Sequence, residues 1–292
     1  MRADEIVRML GSSGRKPEEG DYVGADGLLV CGKCGTPKEC LVSWQGSVAK
    51  LGCACACERE EAELYDARAS RAAKMRAILS SPSQRLCCKA EPGCDFETAD
   101  DSRRGFRVVR AFADRWERMA PSGYGMTLIG PSGTGKTFAA NCLANRLRSR
   151  GLAVMVTNVA LAESVLWDAK GVERTRVLEG LSAYDLLVID DLGAERETPY
   201  MDSRAFDLVD ACYRSGRPLV VTTNIPLAQL KDPKGLSRTR IYDRVLERCQ
   251  PVIFDGPSFR AEKAARNREA MRAILAEGDG PGQAATEGGS DG

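Results

Sequence analysis

Between residues 126 and 254, short apolar runs recur, and each is followed by a stretch whose apolar positions fall three or four residues apart. The runs at 126–129, 153–157, 186–189, 219–223 and 252–254 read as strands, and the stretches between them as helices. Because the runs are continuous rather than alternating, each strand is covered on both faces. The pattern predicts an α/β domain with a parallel five-stranded sheet. Gly151 suits the stop of the helix after the first strand, and Gly216-Arg217-Pro218 parts another helix from its strand. Upstream, residues 58–79 form a charged helical run in which Leu64, Ala67, Ala72, Met75, Ile78 and Leu79 mark an apolar stripe. The run ends at Ser80-Ser81-Pro82. Residues 80–104 then turn to Pro, Gly, Ser and Asp and read as a linker, while the polar residues 1–30, with an amphipathic segment at 6–10, read as a loosely held arm. A last helical pattern at 260–275 leads into a Gly-rich, acidic tail with too little apolar surface to fold alone. The resulting partition is 1–95, 96–260 and 261–292.

The 292 residues carry 42 Lys+Arg and 41 Asp+Glu, for a net charge of +1. That balance excludes a uniformly basic coat for nucleic acid, so any DNA contact must be local. No apolar run approaches the roughly 20 residues needed to cross a bilayer, and the polar N-terminus lacks a signal-peptide core. A cytoplasmic protein is expected. The chain has no histidine, which removes the commonest general base and every mixed Cys/His metal site. Of its 12 cysteines, Cys31, Cys34, Cys40, Cys53, Cys55 and Cys57 crowd one short stretch, which in a reducing compartment points to metal rather than disulfide.

Residues 130–137 read GPSGTGKT, which meets the phosphate-loop pattern at every fixed position, with a strand before it and a helix after it. Gly130, Gly133 and Gly135 let the backbone of the Pro131-Ser132-Gly133-Thr134-Gly135 loop curl until several of its N–H groups and those of the helix start, through Phe138, converge on one anion. Proline has no N–H, so Pro131 shapes the loop rather than donating. Lys136 reaches the β- and γ-phosphates, and Thr137 ligates magnesium. About 50 residues on, the buried run 186–189 ends in Asp190-Asp191, the pattern of a Walker B element. Asp190 is expected to hold magnesium with Thr137, and Asp191 to orient or deprotonate the attacking water. The next strand ends in Thr222-Thr223-Asn224. An amide there can position water near the γ-phosphate, and Asn before Ile-Pro equally suits a turn.

With these elements placed, residues 98–260 resemble the AAA+ ATPases of the DnaC type, which load replicative helicases. The resemblance rests on GPSGTGKT, YDLLVIDDLGAERET at 184–198, VVTTNIPL at 220–227, RIYDRV at 240–245 and FDGPSFR at 254–260. It implies that Asn224 is sensor 1 and that Arg244 is an arginine finger for a neighbour's γ-phosphate, with Arg240 as second candidate. Hydrolysis would then be slow and dependent on assembly of a homo-oligomer. The i, i+4 spacing of Arg240, Arg244 and Arg248, with Arg238 nearby, also fits a solvated helix face. Two departures stand out. Too little structured chain follows Phe259 for a C-terminal lid, as in other loaders, and Asp191 stands where Glu is common, a shorter reach to water. The resemblance further implies a hexameric replicative helicase and single-stranded DNA as partners, with Lys170, Arg174, Arg176, Lys231, Lys234 and Arg238 as candidate DNA contacts. An IstB-like regulator of a DNA transposase shares the same motifs. A small-molecule kinase is more distant, since no acceptor-site lid is present.

Cys31-Gly-Lys-Cys34 is a tight turn suited to presenting two thiolates to a tetrahedral zinc. Cys53, Cys55 and Cys57 alternate, so on a strand all three share a face and any two complete the site. The resemblance favours Cys55 and Cys57, with Cys40 and Cys53 as substitutes, and makes this segment the helicase-contacting domain. Trp44 and the run 58–79 are the candidate contact surface.

Overall fold

The computed structural model describes residues 15–44, 47–88, 91–194, 198–233 and 235–278, so the amphipathic segment at 6–10 and the acidic tail lie outside the described residues. The chain divides into two compact units, Met1–Lys74 and Met75–Gly292.

In the first unit, β1 (Tyr22–Val23) pairs antiparallel with β2 (Leu29–Val30), and β3 (Glu39–Trp44) with β4 (Ser47–Gly52). Its apolar core is small: Leu28, Leu29, Val30, Cys31 and Cys55. Residues 15–30 are therefore built into the unit and do not form a loose arm. They also supply its main ion pair, in which Lys38, with 2% of its side chain exposed, donates to Asp21 at 2.7 Å and Glu18 at 2.8 Å. The Lys38 ammonium holds the Asp21 carboxyl down at about 2. A long helix, α1 (Ala56–Leu79), follows. Its expected stripe is not a buried face. Leu64 and Leu79 are exposed, as is Tyr65, because apolar and charged side chains are spread around the whole helix. Met75 and Ile78, in the second unit, do pack into that unit's core.

The second unit begins with a 3-10 turn at Pro82–Leu86, then α2 (Arg104–Asp114), α3 (Trp116–Met119), β5 (Gly125–Ile129) and α4 (Lys136–Ser149). It continues through β6 (Val154–Asn158), α5 (Val159–Asp168), α6 (Val172–Glu179), β7 (Leu186–Asp190) and α7 (Pro199–Arg214). Then come β8 (Leu219–Thr223), α8 (Leu227–Lys231), α9 (Leu236–Arg248), β9 (Cys249–Ile253) and α10 (Phe259–Gly278). The five strands form one parallel sheet in the order β6-β7-β8-β5-β9.

Successive residues of β7 serve opposite faces, as strand geometry requires. Leu187 and Ile189 join a core with α5, α6, α7 and α9, and Leu186 and Val188 join another with α2 and α4. The segment read as a linker is part of both cores: Leu86 is fully buried in the first and Phe96 in the second. A Pro- and Ser-rich composition hid these two anchors. From β5 the chain crosses to the far edge strand β6, so the loops after β5 and β8 separate and open a crevice at the strands' C-terminal ends.

Candidate functional site

The loop between β5 and α4 sits in that crevice. Gly133 and Gly135 adopt φ of 85° and 96°, left-handed values that glycine reaches without strain. Gly130 is required for another reason. A Cβ there would lie 1.9 Å from the Phe254 carbonyl oxygen, so only glycine lets the loop pass this close to the chain after β9. Thr134 turns its hydroxyl inward to the Pro131 carbonyl at 2.9 Å and is buried, which leaves its backbone N–H rather than its side chain for a ligand. The Lys136 ammonium donates to the Gly130 and Pro131 carbonyls at 2.8 and 2.9 Å and to Asn224 Oδ1 at 2.8 Å. The structure thus brings Asn224, at the tip of β8, directly onto the loop lysine. Burial lowers the pKa of Lys136, while Asp191 and Asp190 pull it back up.

Asp190, at the end of β7, accepts from the Thr137 hydroxyl at 3.0 Å and from the Thr222 hydroxyl at 2.6 Å. Burial pushes its carboxyl above the ordinary carboxylate range. The Thr222 hydroxyl opposes this, the neighbouring Asp191 charge adds to it, and Thr137 opposes it again. A hydroxyl and a carboxylate side by side are the hard oxygen donors magnesium takes, so the pair fits that ion. The backbone turns sharply just beyond. Asp191 has φ of 54°, the one left-handed non-glycine among the described residues, and its N–H is fixed by Thr222 Oγ1 at 2.9 Å. Aspartate tolerates that conformation better than most residues, and the turn presents the exposed Asp191 to the crevice while Asp190 stays partly buried.

The crevice encloses about 650 Å³, within the range of a nucleotide-sized ligand, and its wall includes Ser132, Gly133, Gly135, Lys136, Thr137, Phe138, Asp191 and Asn224. Sequence reasoning missed part of this wall. Phe106 and Phe259 line it, meeting edge to face at 6.2 Å, and so do Arg260, Lys263 and Arg266 from α10. The three cations recur every third residue, so one helix face carries them to an anion-binding cavity. That spacing was the available signal, but it resembles any charged surface helix until α10 is placed. The placement comes from the 254–259 segment, where Phe259 N–H donates to the Gly133 carbonyl at 3.0 Å.

In the first unit, the ligand atoms of Cys31, Cys34, Cys55 and Cys57 all lie within 4.8 Å of one another. The Cys31–Cys57 and Cys55–Cys57 sulfurs are 3.6 and 3.1 Å apart, near the ~3.8 Å edge of a tetrahedron with ~2.3 Å metal–sulfur bonds. The donor set therefore fits a metal ion. The expected strand through Cys53, Cys55 and Cys57 does not form. The chain leaves β4 at Gly52 and enters α1 at Ala56, so Cys53 turns away, its thiol 3.6 Å from the Pro37 carbonyl.

Residues 117–267, just over half of the chain, match the family described as IstB-like ATP binding protein. The chain belongs to this family. Over 229 residues it is 28% identical to the replicative helicase loader DnaC of Escherichia coli K12, covering 76% of this chain and 86% of that protein. Over 180 residues it is 26% identical to an ATP-binding protein of an insertion sequence in Mycobacterium tuberculosis, covering 58% of this chain and 68% of that one. A solved DnaC helicase loader superposes with a TM-score of 0.47 at 18% identity, over 57% of this chain and 100% of that one. The P-loop sheet with its AAA+ connectivity, without a C-terminal lid among the described residues, is the nucleotide domain of a DnaC-type member of this IstB-like family.

The IstB-like domain also carries the predicted arginines on α9, and three of the four are tied to neighbouring groups rather than solvated. Arg238 pairs with Asp202 at 3.3 Å, Arg244 with Asp210 at 2.8 Å, and Arg248 donates to the Tyr213 carbonyl at 2.7 Å. Arg240 is exposed. Of the candidate DNA contacts, Lys170, Arg176 and Lys231 are exposed, Arg174 is paired with Asp207, and Lys234 lies outside the described residues, as does the Trp44 side chain. No helix among the described residues is long and apolar enough to cross a membrane.

Proposed function

We propose that this chain is an ATP-driven loader of a hexameric replicative DNA helicase, assembling on ATP and engaging single-stranded DNA in the cytoplasm. The observation that carries this reading is the reach of the DnaC alignment, 86% of that loader, against 68% of the insertion-sequence protein. A regulator of a DNA transposase is the alternative, and the cysteine module counts against it. Domain roles follow the partition 1–95, 96–260 and 261–292: the cysteine-bearing part grips the helicase and the P-loop part reads nucleotide.

Within the site, Lys136 and the loop N–H groups hold the triphosphate, Asp191 draws a proton from water, and Asn224 keeps that water and Lys136 in register. Thr137 and Asp190 would hold magnesium, which when bound would supply positive charge against that developing on the phosphate. Arg244 of one protomer completes the next protomer's site, so a lone chain hydrolyses slowly. Cys31, Cys34, Cys55 and Cys57 hold a structural zinc, since four thiolates fill a tetrahedral ion and leave no place for water. Support for single-stranded DNA comes from α5 and α7. Trp167, 65% exposed, meets Tyr200 edge to face at 5.9 Å, Arg204 lies over the Tyr200 ring at 5.1 Å, and Lys170 borders the same hollow. Exposed rings beside cations suit stacked bases and their phosphates.

The test mixes the full chain with a hexameric replicative helicase and single-stranded DNA, with and without ATP, and follows mass by light scattering. A helicase complex is expected with ATP. Lys136→Ala should weaken ATP binding on the order of 100-fold, about 3 kcal/mol, and abolish the ATP-dependent complex. Stimulation of a DNA transposase with no helicase complex would overturn the reading in favour of the alternative.

A further inference from the structure

Arg244 and Arg240 sit one turn apart on α9, yet their surroundings differ. The Arg244 guanidinium is bound by the Asp210 carboxylate at 2.8 Å and lies over the Phe206 ring at 4.7 Å and the Tyr213 ring at 5.7 Å. All three partners project from α7. Asp210 is itself held by Arg214 at 3.0 Å, so its carboxylate bridges two arginines. The Arg244 side chain is still 28% exposed. Arg240 is exposed and has no side-chain partner among the described residues; it offers Arg244 only its carbonyl, at 3.4 Å.

We propose that Asp210, backed by Phe206 and Tyr213, is a positioning residue for Arg244, fixing the guanidinium so that a neighbouring protomer's triphosphate meets it already oriented. The inference rests on the reading of Arg244 as a finger acting between protomers. An arginine side chain has many rotamers, and immobilising it during each encounter would subtract from transition-state stabilisation. A clamp on α7 makes that cost part of folding instead. The carboxylate takes Nη2 and Nε is buried, while Nη1 makes only a 3.4 Å bond to the Arg240 carbonyl and is the nitrogen left for phosphate oxygens. The two rings hold the plane without consuming a donor. Asp210 thus acts through Arg244 and never touches the nucleotide.

The experiment measures steady-state ATPase of the full chain with magnesium and single-stranded DNA over a range of protein concentrations. Asp210→Asn should lower kcat in the concentrated, assembled regime roughly tenfold, since loss of orientation slows chemistry, while KM for ATP stays within about twofold. Asp210→Glu should recover part of the loss. The decisive arm is complementation. Mixed with Asp191→Asn chains, which keep an intact Arg244 and its clamp but lack their own water-activating carboxylate, Asp210→Asn chains should regain turnover, because their nucleotide sites then receive a well-held arginine. Wild-type kcat in Asp210→Asn, or no gain on mixing, would overturn the proposal. Should Asp210→Asn melt early, Phe206→Leu, which keeps apolar volume and removes the ring, must give the same kcat loss and the same recovery. Arg244→Ala separates the two levels of the argument. Wild-type turnover there sinks the finger itself, whereas an inactive Arg244→Ala beside a fully active Asp210→Asn sinks only the clamp.

Discussion

Around the phosphate loop, side chains are fixed by a sheet whose central strands are buried on both faces, and the polar groups that face the crevice are tied together: Lys136 to Asn224, Asp190 to Thr137 and Thr222. Around the cysteines, the same chain builds two short hairpins over a handful of apolar residues, with Lys38, Asp21 and Glu18 as the main polar anchor. One region is organised by its own hydrophobic core and offers a place to a ligand. The other brings four thiols together without a core of comparable depth, an arrangement in which a bound ion would supply much of the stability. Small modules of this kind fold by binding metal.

The largest effect that could break this contrast is metal removal. Chelation, or Cys55→Ser, should unfold residues 22–57, because roughly 10–16 kcal/mol of metal-binding free energy is withdrawn from a unit with little else. Hydrogen exchange should rise across β1 to β4, and ATP binding by the sheet domain should persist. If both units melt together, the contrast fails. A smaller effect probes the other side. In Gly130→Ala the new methyl meets the Phe254 carbonyl 1.9 Å away, and overpacking of this kind costs about 2 kcal/mol, a drop of roughly 4–8 °C in the melting temperature of the sheet domain. Metal content should not change. Smallest is Asp190→Asn. Burial raises the Asp190 pKa, so this group favours the fold below the ordinary carboxylate range and loses that contribution as pH rises through its raised value. The variant, carrying no charge to bury, should melt above the parent at neutral pH without magnesium or nucleotide, and the two curves should converge in acid. Equal melting temperatures at neutral pH would show that Thr137 and Thr222 already offset the burial.

The two regions also differed in how much of them could be read from residues alone. Gly130 to Thr137 and Asp190-Asp191 were legible because a phosphate cradle is made by local backbone, and local backbone leaves a spaced signature. Thr222 against Asp190, Phe254 behind Gly130 and the cations of α10 were not, since each depends on which strands become neighbours. In the cysteine unit, alternation of Cys53, Cys55 and Cys57 suggested one shared strand face, but the chain turned into α1 at Ala56 and separated Cys53 from the rest. Residues 15–30 looked like an arm because Leu28-Leu29-Val30 is a short run amid polar neighbours whose pairing with Lys38 spans long loops.

The stretch after β9 touches the cradle at two points, Phe254 behind Gly130 and Ser258 against Gly133, where a Cβ would lie 2.0 Å from the Ser258 hydroxyl. It then becomes the first turn of α10 without an intervening loop. Close-packed backbone transmits displacement instead of absorbing it. A loop that widens by a few tenths of an ångström around a triphosphate therefore has to swing that terminal rod, whose far end magnifies the angle into a movement a neighbouring molecule can feel.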